Sequence, residues 1–419
     1  MKKFLSALIC LALCVALVFA VDCSKNPTGE NSSNSDPSSN NPERPRGEAL
    51  TEEELPFERY IYESGFYSFN DKEFPDFEFS EGKNIYEEKS IHIIVDSISE
   101  GAQAKVIHNN GYPALLKNSL NKWYETNNWG YVIPFNTNDN GDKDIHTFTA
   151  ESGGWMRETH SPNTPGFVRY TSSDKAGSTA LIATDRIKDS YDRHINGFYV
   201  YYSSGSMSGG FDITVNGQKV HSVAAGGTLN NMTRTEYIAI PSDVKNKIEI
   251  RIIKTDDKAV SINGISYAEQ DEGVFVNTFA CSGMTLCEVE NDLLREMCKA
   301  NYVFLALCYN DVGKGDVDTY TKKLEVVTKA CEESEATLVC CDFMWAPSNA
   351  SSSWGENIKN AMFNAAKTAK GYYIDFTYFA KVDREYALAD AAHPTPKGYK
   401  LVARKLCYFL GIPFTSDFS

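Results

Sequence analysis

Four short, mostly apolar runs recur along this chain: Ile91 to Val95, Val303 to Leu307, Thr337 to Cys341 and Tyr372 to Phe376. Each is too short for a core helix and too continuous for a half-exposed strand, so each predicts a strand buried on both faces. Val274 to Phe279 makes a fifth. A segment with helical spacing follows every one. Tyr112, Leu115, Leu116, Ser119, Leu120 and Trp123 fall on one helical face after the first run, and Leu286, Val289, Leu293, Leu294 and Met297 follow the fifth. Tyr320, Leu324, Val327 and Cys331 come after the Val303 run, and Ile358, Met362 and Ala365 after the Thr337 run. The last helix is expected to open at Pro396, a favoured first-turn position for proline, and to turn Tyr399, Val402 and Leu406 inward. Strand and helix alternating in this way predict an α/β fold whose parallel sheet is covered on both sides, a three-layer architecture.

Between about Trp129 and Glu269 the texture changes. Alternating segments such as Phe198 to Tyr202, Phe211 to Val215 and Ile248 to Ile253 replace helical spacing, and Asn216-Gly217 is a two-residue hairpin signal. Residues 129–270 therefore predict an antiparallel β-sandwich inserted into the α/β domain, which is left in two parts, 84–128 and 271–412. Residues 47–83, rich in Glu, Phe and Tyr without a clear period, form a leader packed on one of the two.

The beginning of the chain speaks to compartment. Lys2 and Lys3 precede an apolar run from Phe4 to Val21, the order of a secretory signal, with cleavage expected after Ala20. Residues 21–46 are then dominated by Ser, Asn, Pro, Gly and charge, a composition that predicts a disordered linker. Cys23 stands at its head, where a bacterial lipoprotein would carry its lipid, although Asp22 precedes it in place of a small residue. The expectation is a secreted or surface-anchored protein. With 41 Lys plus Arg against 56 Asp plus Glu the formal charge is -15, which repels phosphate backbones and excludes nucleic acid as a partner. Eight of the eleven cysteines lie between Cys281 and Cys407 with no zinc-type CxxC pair. Buried free thiols are expected, and neither a metal nor a cofactor is called for.

In an open parallel sheet, ligands bind beyond the carboxyl ends of the strands, so the polar residues just after each strand are the first candidates. These are Asp96-Ser97, Ser282-Gly283 and Asn310-Asp311; Asp390 and His393 stand in a loop before the last helix. A serine hydroxyl needs a base, a base needs a carboxylate to hold its tautomer, and the spacing Asp390 to His393 permits that hold. Donors for a developing negative oxygen are available from the Ser97 and Gly283 N–H groups and the Asn310 amide. Of seven histidines, His393 alone follows His221, so the resumed α/β half has a single imidazole.

This pattern resembles the SGNH or GDSL hydrolase superfamily, whose blocks are Gly-Asp-Ser, an isolated Gly, Gly-x-Asn-Asp and a late Asp-x-x-His. Asp96-Ser97, Gly283, Asn310-Asp311 and Asp390-Ala391-Ala392-His393 fall in that order, over residues 84–128 and 271–412. The resemblance implies a flavodoxin-like sheet, Ser97 as nucleophile, His393 as base and Asp390 as its carboxylate. It also implies an oxyanion hole of Ser97, Gly283 and Asn310. Two positions depart from the blocks: Val95 and Cys308 stand where glycine is usual. If either turn required a glycine-only angle, activity would suffer.

Asp311 is expected to brace its loop, and Glu100 to face solvent. Trp345 and Trp354 flank a polar loop and are candidate sugar-stacking residues; Trp155, His160 and Tyr170 in the insertion make a weaker candidate platform. Asp139, Asp142 and Asp144 lack the remaining ligands of a calcium loop and read as a solvated turn. The expected activity is a serine esterase acting on O-acyl, most simply O-acetyl, esters of a polysaccharide or another polar ester substrate. Two alternatives stay open: a glycan-binding or adhesion protein on a hydrolase scaffold, and a lipase or acylhydrolase with another acyl substrate. No oligomeric state follows from the sequence.

Overall fold

The computed structural model describes residues 44–75, 90–104, 111–124, 128, 130–132, 147–184, 196–227, 232–242, 248–268, 274–314, 316–345 and 352–416. The expected signal peptide, nearly all of the expected linker and the expected turn at Asp139, Asp142 and Asp144 lie outside these residues. All five apolar runs form strands of one sheet. Its order is Phe66–Ser68, Tyr372–Asp375, Thr337–Asp342, Tyr302–Leu305, Ser90–Val95, Phe275–Ala280. The last five are parallel, with Tyr302 opposite both Ile91 and Thr337.

Alternation along the strands supplies two cores. Ile91, Ile93 and Val95 point to the side covered by helices Tyr112–Tyr124 and Pro396–Leu410. Ile94, Val303 and Leu305 point to the side covered by Asn291–Met297, Val317–Glu333 and Ser353–Thr368. Adjacent Cys340 and Cys341 divide between the two faces, as a period of two requires. The eight cysteines from Cys281 to Cys407 are free thiols. Trp123 departs from its expected inward stripe and is 50% exposed, because the helix buries no further than Leu120 at that end.

The leader packs on the α/β part and adds something its sequence did not advertise. Phe66–Ser68 pairs antiparallel with the edge strand Tyr372–Asp375, so the leader closes one side of the sheet. Two consecutive cations of the last helix hold it. Arg404, buried, donates to Glu48 O at 2.7 Å, and Lys405, also buried, donates to Tyr60 O and Ser64 O at 2.6 and 2.5 Å.

Two antiparallel sheets occupy most of the stretch between the halves. One runs Gln218–Ala224, Gly210–Val215, Ile248–Lys254, Thr179–Thr184, Thr147–Ser152, and the other Met232–Ala239, Gly197–Ser204, Val260–Ala268, Val168–Ser172, Trp155–Thr159. Phe198, Val200 and Ile262 from the second meet Phe211, Ile213 and Ile250 from the first in a single apolar core. Asn216 and Gly217, both with positive φ (49° and 82°), make the expected two-residue hairpin. Trp155 and Tyr170 stack on each other at 5.8 Å inside that core. Burial removes both from the exposed platform that their sequence suggested.

A buried polar chain joins the two regions. His92 Nδ1–H donates to Met297 O, its Nε2 accepts from Asn277 Nδ2, and Asn277 Oδ1 accepts the N–H of Tyr131. Burial lowers the His92 pKa to about 4, so this ring is a neutral structural link.

Candidate active site

The strand order reverses at Ser90–Val95: the chain steps outward to Phe275–Ala280, then returns to lay Tyr302–Leu305 on the opposite side. In open α/β sheets such a switch point is where a crevice forms at the strands' carboxyl ends. Ser97 lies just beyond the first of them, opening the short helix Ser97–Glu100. Asp96 caps it by accepting the Ile98 N–H at 3.0 Å, and Gly101, with φ +92, ends it in the left-handed conformation glycine tolerates.

Ser97 Oγ lies 2.8 Å from His393 Nε2 across 296 residues of sequence. The loop carrying the imidazole is tightly built. Asp390 Oδ1 accepts the N–H groups of Ala392 and His393 at 2.7 and 2.8 Å, and Oδ2 takes His393 Nδ1–H at 2.8 Å. Burial alone would lift the Asp390 pKa, but these hydrogen bonds and the facing imidazole outweigh it, and the carboxyl sits below its ordinary value. An anionic acceptor at Nδ1 leaves the Nε2 lone pair free to accept the Ser97 hydroxyl proton. Thr395 then caps the last helix through Gly398 N–H, and Tyr399 of that helix donates to Ala102 O at 2.6 Å, linking it back to the serine turn.

The second wall of the crevice is the turn Ser282 to Met284. Gly283 adopts φ +80. Glu100 Oε2 accepts both the N–H and the hydroxyl of Ser282 at 2.7 and 2.5 Å; expected to face solvent, this residue is half-buried and holds the turn. Three successive carbonyls of the turn each meet a side-chain donor: Ser282 O meets His160 Nε2, Gly283 O meets Lys314 Nζ, and Met284 O meets Asn310 Nδ2. Among the described residues no acceptor meets the N–H of Ser97 or of Gly283. The Asn310 amide differs. Its nitrogen donates to Asp96 Oδ2 at 3.1 Å as well as to Met284 O at 3.2 Å, so a substrate oxygen must share these hydrogens.

Asp311 braces its loop by accepting the N–H groups of Leu286 and Cys287, and burial raises its pKa to about 6. Val95 and Cys308 cause no backbone conflict. Neither has a positive φ, and their side chains fill the two cores flanking the sheet. Trp345 is 4% exposed, packs edge-on against Phe343 and donates Nε1–H to Ala392 O at 2.7 Å. A buried indole cannot stack on a sugar; here it supports the His393 loop from below. Trp354 is half-buried, packed against the opposite core. The sequence put His160 in a candidate glycan platform and Glu100 toward solvent, and did not mark either as a partner of Ser282. Their partner lies 182 and 122 residues away, and no local pattern marks it.

No family model matches the sequence, and no curated protein does. Among solved structures, one of a peptidoglycan O-acetylesterase matches with a TM-score of 0.55 at 16% identity, over 77% of this chain and 90% of that one. A family two carbohydrate esterase from Clostridium thermocellum, in complex with cellohexaose, covers 62% of this chain and 96% of that one at 12% identity, with a TM-score of 0.27. The chain thus has a mixed α/β fold of parallel and antiparallel sheets shared with a solved esterase.

Proposed function

We propose that this protein is a serine ester hydrolase that removes O-acyl groups, of acetyl size, from a polysaccharide. The observation that carries the reading is the continuous chain from Ser97 Oγ through His393 to the Asp390 carboxylate. In the first step His393 Nε2 accepts the Ser97 proton as Oγ attacks the acyl carbon. The Ser97 and Gly283 N–H groups receive the negative oxygen, with the Asn310 amide beside them. Collapse expels the sugar hydroxyl, protonated by His393, and leaves Ser97 acylated. Water, deprotonated by the same imidazole, then releases the carboxylic acid and restores the serine.

The glycan class rests on the named activity of the solved structure with this fold and on the two antiparallel sheets with their common core, which we read as an inserted β-sandwich that walls or orients a polymer. The charged and then apolar start, followed by a polar linker, supports export, with Cys23 as the candidate lipid attachment point. Hydrolysis of 4-nitrophenyl acetate and of acetylated xylan tests the activity. Wild type is expected to turn over both, and Ser97→Ala to lose at least about 10³-fold with its melting temperature kept. A wild type inert toward both esters removes the proposal.

A further inference from the structure

Between the described residues of the inserted region and the Ser282 turn, one hydrogen bond comes from His160. This residue directly follows the strand Trp155–Thr159 with φ +58, left-handed backbone that a non-glycine residue adopts only at a cost. The loop behind it is fastened at both ends: Ser161 N–H donates to Phe167 O at 2.9 Å, and Glu290 N–H to Pro162 O at 3.0 Å. Phe167 in turn is buried in the same core as Phe279 and Cys281, the residues leading into the Ser282 turn. So held, His160 aims Nε2 at the carbonyl of Ser282, 2.9 Å away, while Nδ1 lies 3.4 Å from the Thr159 hydroxyl.

Ser282 C=O and Gly283 N–H are two ends of one peptide group. A trans peptide is planar, with its C=O and N–H pointing in opposite directions, so a donor that fixes the oxygen also fixes the direction of the hydrogen. It polarises the group as well, making the N–H a stronger donor. Lys314 and Asn310 hold the next two carbonyls, which belong to other peptide groups. On the carbonyl of the peptide that ends in the Gly283 N–H, the close side-chain donor is His160 at 2.9 Å; the Cys281 thiol, a weaker donor, lies 3.8 Å from the same oxygen.

We propose that His160 is a positioning residue for the oxyanion hole, so that the inserted region completes the active site instead of serving only to bind substrate. The inference rests on the hydrolase reading above. It predicts a transition-state defect, because the Gly283 N–H matters most when the acyl oxygen carries charge.

The test uses the full chain with His160→Phe, which keeps a ring but has no donor, and His160→Gln, which offers an amide N–H. The readouts are kcat and KM on 4-nitrophenyl acetate, the rate of Ser97 phosphonylation by a fluorophosphonate, and melting temperature. His160→Phe is expected to lower kcat about 10-fold, a fraction of the loss from deleting an oxyanion donor, with KM within about twofold. Phosphonylation should slow by a similar factor, since the phosphoryl oxygen occupies the same hole. His160→Gln should recover most of both rates. Wild-type kcat in the phenylalanine variant, a change confined to KM, or a glutamine variant no better than phenylalanine overturns the inference while leaving the esterase reading intact. A wild type inert toward both ester and fluorophosphonate defeats that reading first, and this inference with it.

Discussion

Asp96 Oδ2 accepts a hydrogen bond from Asn310 Nδ2 at 3.1 Å while its Oδ1 caps the helix that opens with Ser97. One carboxyl therefore sets the pitch of the turn that carries Ser97 and the direction of a neighbouring amide. Burial raises its pKa to about 7, so the charged form that best holds Asn310 dominates only above that pH. In Asp96→Asn the cap survives, because asparagine caps as well as aspartate, but two amide groups now face each other. At pH 8 kcat on 4-nitrophenyl acetate should fall about 10-fold, the scale of one weakened charge-assisted hydrogen bond. Melting temperature should hold or rise, since a buried anion is gone. An unchanged kcat would mean that Asn310 is oriented by Met284 O alone.

Asp390→Asn acts on His393 from the side away from Ser97. Asparagine can still accept the Ala392 and His393 N–H groups through its oxygen, which turns its amide nitrogen toward His393 Nδ1. The ring must then accept at Nδ1 and carry its proton on Nε2, where it meets the Ser97 hydroxyl as a donor instead of an acceptor. A loss of about 10³ to 10⁴ in kcat is expected, with little change in KM. Single-turnover kinetics on an activated ester would locate the loss in acylation. A variant within tenfold of wild type would show that the imidazole does not serve as base.

Much of this framework was legible from local pattern, and what was hidden was hidden for a physical reason. Buried strands declare themselves because both faces must be apolar, so Ile91 to Val95 and its four relatives could be read directly, and Asp390 with His393 could be paired because three residues of loop bring their side chains together. Phe66–Ser68 could not be read as an edge strand, since three residues are too few for any period. Arg404 and Lys405 look like surface charges on a helix; burial under the leader follows only once Glu48, Tyr60 and Ser64 supply carbonyls for them. Trp345 carries the same ambiguity. A tryptophan beside a polar loop fits either a sugar platform or a brace, and only its bond to Ala392 O decides between them.

Trp345→Phe tests that brace. The ring contact with Phe343 persists, but the Nε1–H donated to Ala392 O is lost and that carbonyl goes unpaired beneath the His393 loop. Stability should drop by about 1 kcal/mol, as for one hydrogen bond removed from a partly buried acceptor. The looser loop should lower kcat severalfold while KM stays near wild type. Chemical denaturation with parallel initial-rate measurements reads both. A weakened KM with full kcat would return Trp345 to substrate binding.

Asp342, at the end of the strand Thr337–Asp342, is fully buried, accepting the Met344 N–H and the Tyr373 hydroxyl at 2.7 Å each, with Lys359 Nζ 3.7 Å away. Burial, helped by the nearby Asp375 charge, raises its pKa from 3.8 to about 6 despite those partners. Folded chains then hold the proton up to about pH 6, whereas unfolded ones release it near the ordinary carboxyl value. The native state binds more protons across that window, so the contribution of this group to stability is complete below about pH 4 and is lost as pH rises through about 6. Asp342→Asn keeps the side-chain shape and has no charge to bury. Its stability relative to wild type should therefore improve between pH 4 and pH 7, by on the order of 2 kcal/mol. Urea midpoints for both chains at the two pH values measure this difference of differences, in which other titrating groups cancel. A relative stability that is constant, or that falls with pH, would mean that Asp342 remains charged in the folded protein and is stabilised there by Lys359 and Tyr373.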